Sequence, residues 1–436
     1  MTRPRGAADG PLRLAQLANY VGPESGGLAV VVDQVGRDHV RSGGRRLTVM
    51  PAAAASVVVE PGQRLVGLPA PALPGSGRAY HVLTGRSAVT RELAGFAPHV
   101  VEVHDQTTTT WAGAWARRAG AASVLVSHER LDLVASQLSG LAPERFAGAG
   151  RHWAGRLAAR FDAVVCASDF AAEPFRAAGA RNVVRIPFGV DLAAYAPGPR
   201  PDVAPWRPRV LRLVFLGRLW PEKAPGVALD VLARVIAGGL PAQLVVVGGG
   251  PLEAGLRQRA RAERLPVHFA GHVPDRPAVA RLLAAADVAL APGPRETFGL
   301  AVLEAMACGT PVVVSGRGAA GELLAPGAGI AALSAAAMAH GVRALVADPA
   351  AGRRARERAE QFSWRATGDA LARIRADLVA ASVPPGGAQP AARRRPRLAS
   401  NRSSRSSTSR APQTRLRPPP DSSVSTSAPT SRSTAR

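Results

Sequence analysis

Across residues 1–380, short and nearly continuous aliphatic runs alternate with stretches in which apolar positions recur every three or four residues. The runs are LRLAQLANY (12–20), HVVEVHD (99–105), ASVLVSHE (122–129), FDAVVCAS (161–168), RLVFLGRL (212–219), AQLVVVGGG (242–250), VHFAGHV (267–273), VALAPGP (288–294) and PVVVSG (311–316). A strand covered by helices on both faces is written this way, whereas a half-exposed strand alternates. Between the runs, AAEPFRAAGA (171–180), LDVLARVIAGGL (229–240) and RPAVARLLAAAD (276–287) carry the helical period. The alternation predicts an α/β fold of doubly wound parallel sheets. The proline-rich YAPGPRPDVAPWRPR (195–209) interrupts it and reads as a linker. The architecture expected is two Rossmann-like domains, 1–205 and 206–380, facing each other across a cleft.

Composition changes this picture little. The chain is 47% hydrophobic with only 4% aromatic residues, which suits layered Ala/Val/Leu packing. Cys166 and Cys308 sit in apolar runs of different halves and read as buried free thiols. No apolar run reaches the roughly 18 residues of a membrane span, and the first twenty residues lack the apolar core of a secretory signal. The expected location is cytoplasmic. The formal charge of +24 is unevenly spread: residues 381–436 hold eleven arginines and one acid, Asp421. That Ser/Arg/Pro-rich tail has almost nothing to bury and is predicted to be disordered. It reads as a solvated extension, an RNA-binding arm or a membrane-surface arm.

Arginine outnumbers lysine 54 to one, as in a GC-rich genome, so single arginines carry little functional weight. The one lysine, Lys223, carries more. It lies in LGRLWPEKAPG (216–226), where a strand ends and a helix begins. A cation faces the positive end of a helix dipole there, which is unfavourable unless an anion lies between. Arg218 and Lys223 together therefore suggest a phosphate or diphosphate site. A solvated loop is the plain alternative. A second stretch, PRETFGLAVLEAMACGTPVVVS (294–315), places Glu296 in a loop and Glu304 eight residues later inside an otherwise apolar helix. The backbone N–H groups of Phe298, Gly299 and Leu300 open that helix and can hold a phosphate, and the two carboxylates can accept hydrogen bonds from sugar hydroxyls. A carboxylate in apolar surroundings is costly unless it is used.

These two stretches, in this order, resemble the retaining family 4 glycosyltransferases of the GT-B fold; the resemblance covers residues 12–380. It implies a nucleotide-sugar donor in the second domain, with Arg218 and Lys223 on the diphosphate, Glu296 on the hexose, Glu304 on the ribose and Gly249 of VVVGGGPL (245–252) near the nucleotide. GHVPDRPAVARLLAAADVALAPG (271–293) is similar to the family's base-contacting region. In the first domain, Gly26 and Gly27 of NYVGPESGGL (19–28) would admit the donor phosphate, and His128 would stand close to the transferring sugar. Tyr20 and Asp105 fall on the acceptor side. Within the family, SHERLD (127–132), EV-D (102–105) and ANY-GP-SGGL resemble the group that moves mannose from GDP-mannose to phosphatidylinositol monomannoside.

The resemblance implies transfer with retention, no required cofactor or metal (no D-x-D sequence lies in a plausible loop), and a glycolipid acceptor at the inner face of the membrane. Retention by two inversions needs a carboxylate nucleophile, for which Asp105 is the nearest candidate; front-face substitution needs none. Two other readings stand beside this one: a related transferase with another sugar or a soluble acceptor, and a nucleic-acid-binding protein driven by the basic tail. PERFAGAGRHWAGRLAARF (143–161) sets Phe146, Trp153 and Leu157 among four arginines. It reads either as an interfacial helix or as a helix packed on the first sheet with its arginines in water.

Overall fold

The computed structural model describes residues 10–21, 26–73, 80–198 and 205–382. The first domain is built on strands β1 (Arg13–Leu17), β2 (Arg45–Ala52), β3 (Ser56–Glu60), β4 (Gln63–Pro69), β5 (Val100–Val103), β6 (Ala122–Ser127), β7 (Ala163–Cys166) and β8 (Val183–Arg185), in the order β3-β4-β2-β1-β5-β6-β7-β8. The second has β9 (Leu211–Leu216), β10 (Ala242–Val247), β11 (Val267–Gly271), β12 (Val288–Ala291), β13 (Val312–Ser315) and β14 (Gly329–Ala332), in the order β11-β10-β9-β12-β13-β14. The second sheet is wholly parallel. The first is parallel except for β3, which turns back at Pro61-Gly62 and pairs antiparallel with β4.

All nine aliphatic runs form strands, and β5, β6, β7, β10 and β13 are buried along their whole length. The chain order reverses at β1/β5 in the first sheet and at β9/β12 in the second, so a crevice opens beyond the carboxyl ends of these strands. Those two crevices face each other. Five strands were not marked by an aliphatic run. β2 opens on two arginines, one of which, Arg46, is buried; β3 is exposed throughout; β8 and β14 are short.

Three helices start on a short polar side chain that caps them. The hydroxyls of Ser168 and Ser334 and the carboxylate of Asp275 each accept a hydrogen bond from the N–H three residues on. Apolar packing is continuous from one domain to the other through Phe188, Val190 and Tyr195, which lie with Val302, Ala307 and Phe362. Cys166 and Cys308 are both buried and free, and burial pushes each thiol up to about 12.

The sequence assigns 206–380 to the second domain, but its last helix, Trp364–Ser382, crosses to the first. Val190 bridges to Ser363, the Thr367 hydroxyl donates to the Pro187 carbonyl at 2.9 Å, and Arg375 is buried against Glu102 of β5 at 2.7 Å. The stretch 195–209 is described only at 195–198 and 205–209, and of the predicted tail 381–436 only Ala381 and Ser382, the end of this helix, lie within the described residues.

Candidate active site

The loop after β9 carries Arg218, passes through a short 3₁₀ turn, Pro221–Lys223, and enters the helix Pro225–Ala237. Lys223 Nζ forms an ion pair with the Glu296 carboxylate. Arg218 donates to the Tyr80 hydroxyl at 3.1 Å, across the cleft, and to Glu222 Oε1 at 3.0 Å. The Glu296 loop is pinned from both sides. A Cβ on Gly293 would stand 2.8 Å from the Glu222 carbonyl, and the Ala319 N–H donates to the Glu296 carbonyl at 2.7 Å. Arg218, Lys223 and Glu296, far apart in sequence, therefore share one wall of the cleft.

Gly299 ends that loop with φ +109°, a conformation that favours glycine, and Leu300–Ala307 follows as a helix. Phe298 is buried beneath it. The helix Gly27–Arg41 of the first domain begins opposite, so close that a Cβ on Gly27 would lie 2.9 Å from Leu300 Cδ1. Two helix N-termini, each with a positive dipole end, thus open into the same space. Gly26 has open space around it. The steric demand in the glycine-rich turn after β10 falls beside the predicted residue: Gly249 is unconstrained, while a Cβ on Gly248 (φ +136°) would meet the Gly217 carbonyl at 2.0 Å. The loops after β9 and β10 interlock there, with Leu219 N–H donating to the Gly249 carbonyl at 2.8 Å.

Glu304 sits one turn into its helix among apolar neighbours. Burial pushes its carboxyl up to about 7, against the Tyr195 hydroxyl and Arg276, which favour ionisation. The surroundings that make the residue conspicuous in sequence are therefore present in the fold.

Across the cleft, His128 ends β6. Its ring stacks on Phe188 at 5.5 Å and on His104 at 5.2 Å, and its Nε2 lies 2.9 Å from His104 Nδ1. Burial, and then His104, hold it well below the usual imidazole range. The Thr297 hydroxyl donates to the His128 carbonyl at 2.6 Å, and the Ser168 hydroxyl donates to the Thr297 carbonyl at 2.6 Å. The Glu296-Thr297-Phe298 segment is thereby clamped to the histidine.

Asp105, expected on the acceptor side, organises its own loop. Its carboxylate accepts from the Thr107 and Thr109 N–H groups at 3.0 and 2.9 Å and from the hydroxyls of the same residues at 2.6 and 3.0 Å. It is buried, and its hydrogen-bonding capacity is spent on its own loop. Tyr20 joins the same loop, its hydroxyl 3.4 Å from Thr107 Oγ1, and burial raises its pKa.

Several site residues escape sequence reasoning because no periodicity marks them. Tyr80 and Glu222 flank Arg218. Gln137 bridges Glu222 at 3.1 Å and Arg295 at 3.2 Å. Glu322 of the second domain accepts from the Asp169 and Phe170 N–H groups at 2.8 Å each, capping a helix of the first. Glu129, next to His128, is open to solvent at the base of the cleft, whose walls strip enough water from it to raise its pKa; Arg218 and Lys223 act in the opposite sense. Of the two readings of 143–161, the helix packed on the first domain is the one the fold shows. Leu157 is fully buried, and Trp153 packs on the first core with its indole N–H donating to the Gln106 carbonyl at 3.2 Å. Only the polar face of the helix Ala147–Ala158, with Arg151 and Arg156, meets solvent. Among the described residues no helix is long and apolar enough to cross a membrane.

Comparison with known proteins agrees with this geometry. Residues 25–194 match the family described as Glycosyltransferase Family 4, and residues 211–348 match Glycosyl transferases group 1. A GDP-mannose-dependent alpha-(1-6)-phosphatidylinositol dimannoside mannosyltransferase of Mycobacterium tuberculosis is 42% identical over 377 residues, 84% of this chain and 97% of that one. A D-inositol 3-phosphate glycosyltransferase of Mycolicibacterium gilvum is 33% identical over 57% of this chain and 64% of its own. Among solved structures, the sucrose-phosphate synthase of Thermosynechococcus elongatus superposes with a TM-score of 0.71 at 21% identity, covering 85% of this chain and all of its own. The lipopolysaccharide glycosyltransferase WaaG gives 0.61 at 16%, covering 83% and 99%. The chain belongs to the family 4 glycosyltransferases and is a glycosyltransferase of the GT-B fold.

Proposed function

We propose that the enzyme transfers mannose, with retention at the anomeric carbon, from GDP-mannose to a phosphatidylinositol mannoside at the membrane surface. The observation that carries the reading is the single cleft wall on which Arg218, Lys223, Glu296 and the start of the helix Leu300–Ala307 converge. Two cations and a helix N-terminus supply the field that a departing nucleoside diphosphate needs. Lys223 and Glu296 neutralise each other as paired, so a diphosphate that draws Lys223 away frees the Glu296 carboxylate for the sugar hydroxyls. Glu304, neutral at rest near pH 6, accepts from the ribose when it ionises.

The choice of mannose and of a phosphatidylinositol mannoside follows the 42%-identical relative, which this chain matches over nearly its full length. That relative's name carries dimannoside where the sequence motifs resemble the monomannoside group, so the proposal is for the mannoside class. Front-face substitution is the mechanism we favour, because Asp105 is consumed by its loop and the departing phosphate can itself take the acceptor's proton. Surface contact is supported by Leu138 and Leu141, 84% and 47% exposed, which share the stretch 138–151 with exposed Arg145 and Arg151. Apolar side chains flanked by arginines suit an anionic interface, at about 1 kcal/mol per basic group.

The test is transfer from a panel of radiolabelled sugar nucleotides to phosphatidylinositol mono- and dimannoside in vesicles, with free inositol phosphate as the soluble competitor. Label entering the lipid from GDP-mannose alone, in an α linkage, supports the proposal. Label entering inositol phosphate, or transfer from a uridine nucleotide in preference, replaces it with the soluble-acceptor or other-donor reading. Pelleting with phosphatidylinositol vesicles that weakens on Leu138→Ser/Leu141→Ser and with added salt supports the surface contact; no pelleting at low salt removes it.

A further inference from the structure

A buried chain of polar groups runs from the last helix to His128. Arg375, on the helix that crosses back from the second domain, lies 2.7 Å from Glu102 on β5, and both side chains are shut off from solvent. The other Glu102 oxygen faces His104 Nε2 at 3.7 Å and accepts from Gln16 Nε2 at 3.4 Å. His104 Nε2 is itself buried without a hydrogen-bond partner, and its Nδ1 meets His128 Nε2 at 2.9 Å. The same crossing helix reaches His128 by a second route, with Trp364 stacking on Phe188 at 6.4 Å and Phe188 on His128 at 5.5 Å.

Burial opposes ionisation of Glu102, but Arg375, aided by His104, outweighs it, and the carboxyl titrates well below the ordinary range. An ionised carboxylate facing Nε2 at 3.7 Å orients the His104 tautomer with its proton on that nitrogen. Its Nδ1 then has only a lone pair to offer, so the 2.9 Å contact requires His128 to donate from Nε2. His128, held neutral by its surroundings, is left with a lone pair at Nδ1, and its half-buried ring stands at the end of β6.

We propose that Arg375, Glu102 and His104 are positioning residues that fix His128 as the Nε2–H tautomer, making its free nitrogen an acceptor for a substrate hydroxyl. The inference rests on the proposed sugar transfer for the identity of that hydroxyl, but the tautomer itself is a property of the protein alone. Without the carboxylate, His104 can carry its proton on Nδ1. The 2.9 Å contact then runs the other way, and His128 turns a donor toward a hydroxyl that must itself donate. The effect is on chemistry more than on nucleotide affinity, because the diphosphate ligands lie on the other wall.

The experiment uses full-length enzyme with ¹⁵N-labelled histidine, the His128 signals being assigned by loss in His128→Gln. The account predicts one His128 tautomer, protonated at Nε2. A proton on Nδ1 in the wild type overturns it, whatever the sugar specificity proves to be. Glu102→Gln/Arg375→Met removes both buried charges together, so no lone charge is left in the core. It should bind GDP within about twofold of wild type, show mixed His128 tautomers and lose about tenfold in kcat. Unchanged kcat with a single tautomer overturns the proposal. Should that double variant not fold, His104→Asn and His104→Phe decide. The asparagine carbonyl can accept from His128 Nε2 where Nδ1 did and should keep kcat within about threefold, while phenylalanine should lose about tenfold; equal loss in both makes the role merely structural. No transfer from any sugar nucleotide by the wild type would refute the proposed function and leave the tautomer measurement standing.

Discussion

The two walls of the cleft are built on opposite principles. On the second-domain wall, Arg218, Lys223, Glu222 and Glu296 are partly exposed and paired with one another, so a charged ligand can exchange for those pairs at little cost. On the first-domain wall, Glu102, His104, Asp105 and Arg375 are buried, with their partners within the protein. Partly exposed ion pairs are worth little and can be rearranged; buried ones are expensive to break. On the proposed function the difference divides labour: the open wall would take the nucleotide diphosphate, and the closed wall would hold a fixed geometry against which the sugar reacts.

The largest effect that can break this comparison is on the open wall. Lys223→Ala and Arg218→Ala should each remove about 2–4 kcal/mol of transition-state stabilisation from kcat/KM without changing the melting temperature appreciably. Near-wild-type kcat/KM in either variant would put the diphosphate elsewhere. Lys223→Arg should recover only part of the loss, because a planar guanidinium does not replace a compact ammonium.

On the closed wall the dominant loss should be stability. Asp105→Ala strands the N–H groups of Thr107 and Thr109 and should destabilise by about 2–3 kcal/mol, read as a lower urea midpoint. If instead stability holds and only kcat collapses, Asp105 is a reacting group and the loop-organising role is wrong.

Glu304 sharpens the boundary between the walls through pH. Its folded-state pKa, about 7, exceeds its ordinary value of 4.5, so the native state binds the proton more tightly than the unfolded chain. The stability this provides is full below about pH 4.5 and is lost as pH rises through 7. Glu304→Gln should flatten that part of the melting profile between pH 5 and 8; an unaltered profile would mean that the carboxylate ionises freely. The smallest effect expected is at Glu129. Under front-face substitution Glu129→Gln should cost less than about tenfold in kcat, or about 1.4 kcal/mol, whereas abolished turnover in that variant, with a glycosyl-enzyme trapped on Glu129 in the wild type, would make it a nucleophile.

How far the sequence could be read follows the same division. The open wall is legible because its residues break local rules: one lysine among arginines, cations at a helix start, a glutamate in an apolar helix. Eight of the nine strands marked by aliphatic runs are mostly buried and are legible because a strand covered on both faces must be aliphatic; the ninth, β11, lies at the sheet edge without a buried residue. Strand β2 was missed because its buried Arg46 is satisfied by Gln16, Gln63 and the Val32 carbonyl, contacts that form only after the sheet assembles. Arg375, Tyr80 and Glu322 act across 273, 138 and 153 residues of sequence, and no local pattern reports a partner at that distance. Phe146, Trp153 and Leu157 look like an interfacial stripe because an amphipathic helix has the same period whether its apolar side meets lipid or a protein core; the first sheet claimed Leu157 and Trp153.

The division of labour itself is tested most directly by calorimetric titration of GDP into wild type, Lys223→Ala and His128→Ala under one set of conditions. The account predicts that Lys223→Ala weakens GDP binding at least tenfold, about 1.4 kcal/mol, while His128→Ala binds GDP within about twofold of wild type despite losing transferase activity. GDP affinity unchanged in Lys223→Ala, or weakened equally in both variants, would contradict it.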